Sequence, residues 1–466
     1  MSQATSRPPL QVLSTLNEDG SRRWLRPKLS PGGFWRWRRV VAYSLMVLFF
    51  AIPYLRLGGR PLVLLDVPRR EFTLLGTTFL PTDTLLLMLL MVSIALGIFL
   101  LTALLGRVWC GWACPQTVYL EFLFRPIERW VEGGRSGSMG LDREQQQFHP
   151  RRLLKYGIYL VLSLFLAHTF LAYFVGIEQL VQWVRRSPLE HPTSFLVMAG
   201  TTAMIFADFA WFREQTCIVA CPYGRLQSVL LDRRSLIVGY DPNRGEPRMR
   251  GVKQRDASAG DCIDCGACVQ TCPTGIDIRE GLQMECIHCT QCADACDAIM
   301  DQVGTPRGLI RYTSQASLAG SPQGLLRPRV VLYPAVMAVS LGLLIFNLGT
   351  RVDTDVTLLR GIGAPFTREP NGMIINQVRV KISNRGEAAR AYQVAVAEGE
   401  PFRLIAPVNP MPVAAGRTTE NSFFVVAPPA EFQNGSRMVT IRVTDAAGYE
   451  AEFAYRLQGP GSGEAP

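Results

Sequence analysis

The chain has 466 residues, of which 48% are hydrophobic, and 48 Lys and Arg stand against 38 Asp and Glu, for a formal charge of +10. That pairing suits a membrane-embedded body with polar appendages, and the basic excess, which gathers in short loops beside apolar runs, is explained by topology and not by nucleic acid. Its 12 cysteines carry the spacings of metal ligands in a long chain, which makes a disulfide framework the weaker reading.

In chain order, a polar tail over 1–37 precedes the first of five apolar stretches, at 40–55, 85–105, 156–175, 194–209 and 330–348. A helix needs roughly 20 residues to cross a hydrocarbon core of about 30 Å. The first and fourth stretches are short, but Trp35 and Trp37 flank one and Trp211 the other, as interfacial anchors do. All five are read as spans. A polar tail before the first run, with no small-residue site after it, argues against a cleavable signal peptide. Arg36, Arg38 and Arg39 precede the first span, and Arg107, Arg125, Arg129, Arg135 and Arg143 follow the second, so those sides are expected to be cytoplasmic. The cytoplasmic region 212–329 and an external C-terminus follow from five crossings. All cysteines then fall at or beyond inner membrane ends, where thiols stay reduced.

The second and fourth spans each end in C-x3-C-P: Cys110, Cys114 and Pro115, then Cys217, Cys221 and Pro222. This is an internal repeat. Proline suits the first turn of a following helix, which would place Cys114 and Cys221 beside its free N–H groups and lower their thiol pKa. Four soft thiolates would favour Cu(I) over Cu(II), hold a third iron–sulfur cluster, or cycle as dithiols. Residues 116–132, with Glu121, Arg125, Glu128 and Arg129 between apolar positions, read as an amphipathic helix on the inner membrane surface.

Residues 255–303 hold two C-x2-C-x2-C-x3-C runs, Cys262, Cys265, Cys268, Cys272 and Cys286, Cys289, Cys292, Cys296. In two-cluster ferredoxins the fourth cysteine of each run ligates the other cluster. The expected sets are Cys262, Cys265, Cys268 with Cys296, and Cys286, Cys289, Cys292 with Cys272, holding two [4Fe-4S] clusters. Zinc, which prefers two C-x2-C pairs, is the weaker reading. His288 is taken as a solvent-side filler. His168, in the third span, is a candidate metal or proton site because an intramembrane ionisable group is costly; a haem pair would need a second intramembrane His. Asp208, near the inner end of the fourth span, is read as orienting a ligand or cation or as a solvated group, and Met88, Met91, Met198 and Met204 as packing rather than a copper path. Beyond the fifth span, alternation at 377–383 and 438–444 and Gly-containing turns predict an antiparallel, seven-strand immunoglobulin-like sandwich over 352–459.

Taken together, the paired C-x3-C-P hairpins, the adjacent ferredoxin runs, the fifth span and the C-terminal domain resemble the CcoG (FixG/RdxA) family of cytochrome c oxidase accessory proteins over 34–459. The resemblance implies a bacterial cytoplasmic-membrane protein for assembly of a cbb3-type oxidase. It further implies reduction of Cu(II) to Cu(I) at Cys110, Cys114, Cys217 and Cys221, with electrons from the ferredoxin cysteines' clusters. Expected partners are the oxidase assembly machinery or a copper chaperone, and a cytoplasmic electron donor. A quinol dehydrogenase-type electron-transfer subunit and a non-redox copper scaffold are the alternatives.

Overall fold

The computed structural model describes residues 13–460 except 18, 81–82, 145–147, 252–258, 322–327, 387, 398–400 and 433. The start of the tail and residues 255–258 of the ferredoxin segment therefore lie outside the described residues. The chain divides into two compact units, Met1–Leu64 with Leu89–Gly342, and Leu65–Met88 with Leu343–Pro466.

Among the described residues, four helices are long and apolar enough to cross a membrane: Thr84–Leu105, Pro150–Val175, Pro192–Phe212 and Val330–Gly349. The first and last of these carry Ser93 and Ser340, whose hydroxyls meet at 2.9 Å, a small-residue contact of the kind that joins helices in lipid. The earliest apolar stretch lies in a helix, Gly33–Ala51, continued by a single 3-10 turn to Tyr54. Its opening turns carry Arg36, Arg38 and Arg39, so length and composition do not place it with the other four. Arg38 is completely buried and points inward.

The segment read as an amphipathic surface helix folds differently. It runs as Pro115–Tyr119, a π turn at Leu120–Phe124, and Arg125–Glu132, which stops at Gly133 in the left-handed region. Glu121, Arg125, Glu128 and Glu132 are buried, while Trp130 is exposed. The charges turn inward because each finds a partner: Arg213 holds Glu128 through two bonds of 3.0 and 2.9 Å, Arg125 reaches Glu214 at 3.1 Å, and Lys155 reaches Glu132 at 2.6 Å. Unpaired, each would carry a desolvation penalty of several kcal/mol. The aromatic and apolar residues of the same segment, Phe122 and Phe124 among them, pack with Met46, Tyr159 and Phe209 of the helices around it.

The ferredoxin region is built on two antiparallel strands, Ile237–Tyr240 and Ile310–Thr313, with helices Ala267–Thr271 and Gln291–Val303. Each cysteine loop turns through the left-handed region twice, at Asp264 and Gly266 in the first and at His288 and Thr290 in the second. Non-glycine residues held there cost of order 1–3 kcal/mol each. Matched positions in both loops show that the two runs share one backbone design, and successive N–H groups in such a turn form a concave anion-binding nest.

In the second unit, one sheet pairs Arg403–Ile405, Arg417–Ala427, Ile374–Asn384 and Thr354–Arg360 in that order, with Thr367–Arg368 also on Ile374–Asn384. The other pairs Met411–Val413, Arg390–Val396, Ser436–Asp445 and Glu450–Gln458. Alternate residues Val378, Val380 and Ile382 of one sheet and Val439, Ile441 and Val443 of the other are buried in one core, which is the inside-outside alternation expected of a sandwich. Both strands anticipated at 377–383 and 438–444 lie within it.

Candidate metal centre and thiol site

The cysteine loops close around two cavities. One is lined by Cys262, Cys265, Cys268 and Cys296, with Tyr240, Met300 and Leu309 as walls. The other is lined by Cys272, Cys286, Cys289 and Cys292, with Cys268 also on its wall beside Ile276 and Ile278. Each expected ligand set thus faces one void, with the fourth thiol supplied by the other run. Among the described residues, no three His, Cys, Asp or Glu stand close enough to hold a single metal ion. Four soft donors spread around an apolar void fit a multi-iron cluster better than a lone tetrahedral zinc.

Burial pushes these thiols up: Cys268 and Cys289 to about 11, Cys286 and Cys296 to about 12. Desolvation dominates in each. Neutral thiols must therefore shed protons as metal arrives, which couples loading to pH.

The two C-x3-C-P segments share a backbone. Cys114 N–H bonds Trp109 O at 2.9 Å and Cys221 N–H bonds Thr216 O at 2.8 Å, both five residues back. Both cysteines are extended N-caps of helices that begin at Pro115 and Pro222. The repeat is structural. The expected lowering of thiol pKa does not occur at Cys114, because burial outweighs the helix end. Cys110 is pushed to about 12 by desolvation, with Cys114 and Cys221 adding to it, and Cys217 rises for the same reason. Cys114 also rises, although the N–H groups of Gln116 and Thr117 pull it down. Thiols of the two segments act on one another: Cys221 adds to the rise at Cys110 and at Cys114, and Cys114 and Cys110 to that at Cys217. Cys110 donates to Gln227 Oε1 at 3.1 Å, so it takes a partner from the second hairpin.

The first thiol segment is seated on the second ferredoxin loop. A Cβ on Gly111 would lie 2.6 Å from Ile287 O and 2.9 Å from the backbone of Cys289, so only glycine permits this approach. Arg107 donates to the carbonyls of Met284 and Gly224 and, at 3.3 Å, to that of Cys286. It ties both hairpins to the cluster loop. Trp112 donates to Tyr312 at 2.8 Å, and Tyr312 to His288 O at 3.0 Å.

His288 corrects the sequence reading. It is 0% exposed, and its Nδ1 accepts the Arg107 N–H at 3.1 Å. Burial, with a smaller contribution from Arg107, depresses its pKa to about 3, which keeps the ring neutral. Arg38 donates through Nε to Gly111 O at 2.9 Å, while its two terminal nitrogens are buried without partners. Its charge acts on Cys289. Nothing in the spacing of the motifs points to either residue; only the run Arg36 to Arg39 at the start of an apolar helix hinted that one arginine had to face inward.

The remaining candidates stand apart. His168 donates from Nδ1 to Leu164 O of its own helix at 2.8 Å and lines a separate cavity with Trp183, His191 and Met198; among the described residues it joins no metal-sized group. Asp208 accepts from the Thr216 hydroxyl. Met88, Met91 and Met204 are exposed.

Comparison with known proteins follows this division of the chain. Residues 212–315 match a 4Fe-4S dicluster domain, 87–133 a 4Fe-4S binding domain, and 344–460 the immunoglobulin-like fold at the C-terminus of FixG. Protein RdxB of Cereibacter sphaeroides is 35% identical over 82% of this chain and 84% of its own. Protein RdxA of the same organism is 35% identical over 88% and 91%, and nitrogen fixation protein FixG of Rhizobium meliloti 31% over 92% and 91%.

Proposed function

Because the chain belongs to the FixG/RdxA family and is a membrane iron–sulfur electron-transfer protein, we propose that it carries electrons from the ferredoxin cysteines to the membrane-end thiols and there reduces Cu(II) to Cu(I) for a cbb3-type oxidase. The observation that carries this reading is the seating of Gly111 on Cys289, which brings the backbone between Cys110 and Cys114 against a ligand of the second set. Two [4Fe-4S] clusters, when bound, supply one electron at a time. Cys262, Cys265, Cys268 and Cys296 would hold one, and Cys272, Cys286, Cys289 and Cys292 the other.

This chain's own residues do the rest. Cys265 is exposed while Cys286 and Cys289 are buried, so the first set meets solvent and the second faces the membrane thiols. Arg107 and the Trp112–Tyr312–His288 chain fix the distance between them. Arriving copper displaces protons from the thiols, and soft sulfur ligation favours the reduced ion. One electron converts Cu(II) to Cu(I). Since no three of these thiols stand within reach of one ion, the copper ligands are proposed as cysteine pairs and not a four-thiol cage.

The same spread favours a second reading, a third cluster held by Cys110, Cys114, Cys217 and Cys221, which the match of 87–133 to a 4Fe-4S binding domain also supports. Iron content of the loaded protein separates the two. Arginine placement supports five spans in a bacterial cytoplasmic membrane, with the N-terminus and ferredoxin region inside and the C-terminal sandwich in the periplasm. There the sandwich would meet the oxidase assembly machinery or a copper chaperone. The test is Cu(II) reduction by dithionite-reduced protein in detergent. The proposal requires that Cys110→Ala or Cys217→Ala abolish it while the ferredoxin clusters remain.

A further inference from the structure

Beside the second cysteine set lies an open pocket of about 360 Å³ that the proposed function leaves unused. Its lining combines apolar Leu25, Met139 and Val269 with Arg23, Arg135 and Arg143, and the one carboxylate in it, Asp142, is taken by Arg26 at 3.1 Å. Arg23 and Arg143 are exposed and have no side-chain partner among the described residues. Arg135 reaches only Gln270 Oε1, at 3.3 Å, and its Nε is buried without a partner. Cys272 lines both this pocket and the cavity of the second thiol set. One residue of the second set therefore borders an open, arginine-lined pocket.

Each part of this arrangement selects a ligand property. A concave site of a few hundred Å³ with apolar residues in its lining takes a small molecule with a flat apolar body. Guanidinium forks match phosphate geometry, and the partly buried one is held by a single weak contact. A cluster takes electrons singly, which excludes a donor that releases only hydride. We propose that this pocket binds a phosphorylated flavin, with reduced flavin mononucleotide as the simplest member, and that it is the point at which electrons reach Cys272 and the second set. The dihydroflavin gives up two electrons and two protons; one electron goes to each cysteine set's cluster and the protons pass to solvent. The inference rests on the reading that the eight ferredoxin cysteines hold clusters.

The test uses full-length, cluster-loaded protein in detergent. Flavin fluorescence titration is expected to show that flavin mononucleotide binds and that riboflavin, lacking the phosphate, binds more weakly by about tenfold or more, as loss of one charge-assisted bond would give. Arg23→Glu and Arg143→Glu are expected to weaken the nucleotide by a similar factor and leave riboflavin unchanged. Stopped-flow reduction by photoreduced flavin mononucleotide is expected to slow in parallel. Reduction by dithionite, and copper reduction driven by it, stay at the wild-type level, which distinguishes failure of this inference from failure of the copper reading and shows that the variants are folded. Equal affinity for the two flavins, or unchanged nucleotide affinity in both variants, overturns the proposal. So does faster, arginine-dependent reduction by an acidic carrier protein when the free flavin nucleotide does not bind.

Discussion

Glu128→Gln is the perturbation whose cost the structure defines best. The carboxylate receives two bonds from Arg213, at 3.0 and 2.9 Å, a close contact from Arg26, and Lys155 at 3.4 Å, and it is buried together with Arg213 and Lys155. Burial alone would raise its pKa, but Arg213, Arg26 and Lys155 outweigh burial and hold it well below the usual carboxylate range. The amide keeps the shape and removes the charge, leaving three cations around a neutral group. Breaking one side of a buried pair costs about 3–5 kcal/mol. Here Lys155 retains Glu132 at 2.6 Å and Arg26 retains Asp142 at 3.1 Å, so the lower end, about 3 kcal/mol, is expected. A depressed folded pKa contributes stability that is present above the unfolded value, about 4.3, and lost as pH falls below it toward the folded pKa. Wild-type protein should therefore lose stability steeply below about pH 4.3, and the variant less so. Denaturant titration in detergent, followed by tryptophan fluorescence from pH 3 to 8 (about the range set by those values), measures both. A cost under about 1 kcal/mol, the worth of an exposed pair, together with an unchanged acid limb, would refute the reasoning.

Three further outcomes follow from the site. Cys272→Ser and Cys296→Ser should each remove one cluster signal, and not the same one, in electron paramagnetic resonance of dithionite-reduced protein, because the two thiols line different cavities; loss of the same signal in both would break the crossed ligand sets. Gly111→Ala forces a methyl against Ile287 O and the Cys289 backbone, so copper reduction should fall by more than about tenfold, the equivalent of 1.4 kcal/mol, while the cluster held by Cys262, Cys265, Cys268 and Cys296 keeps its spectrum. Arg38→Gln withdraws a buried positive charge that acts on Cys289; redox titration should show one cluster shifted to lower potential by tens of millivolts and the other unmoved.

Much of this was legible because metal ligation is written in cysteine spacing. The two C-x2-C-x2-C-x3-C runs and the two C-x3-C-P pairs located every thiol that the fold gathers, and strict alternation at 377–383 located a strand whose Val378, Val380 and Ile382 are buried. What stayed hidden depends on partners far along the chain. Glu121, Arg125 and Glu128 have the interleaved spacing of a solvated helix face, yet Arg213 and Glu214, nearly ninety residues on, draw them inside. His288 sits in a loop whose spacing concerns only its cysteines, and its burial comes from Arg107 of another hairpin. Local rules also misjudged the thiols: an N-cap position lowers a pKa, but the desolvation around Cys114 is larger. The first helix falls between categories because the arginines that mark its membrane end also subtract from its apolar length.

The central claim is that electrons pass from the ferredoxin cysteines to the membrane-end thiols and reduce copper there. The most direct measurement is a single-turnover mixing of dithionite-reduced, desalted full-length protein with Cu(II) and a Cu(I)-specific chromophoric chelator, monitoring cluster bleaching recovery and chelated Cu(I) together. The account predicts that cluster reoxidation and Cu(I) appear at one rate, with one Cu(I) formed per electron, and that Cys110→Ala and Cys217→Ala stop both while leaving the clusters reducible. Cluster reoxidation by Cu(II) at an undiminished rate in both variants would contradict it.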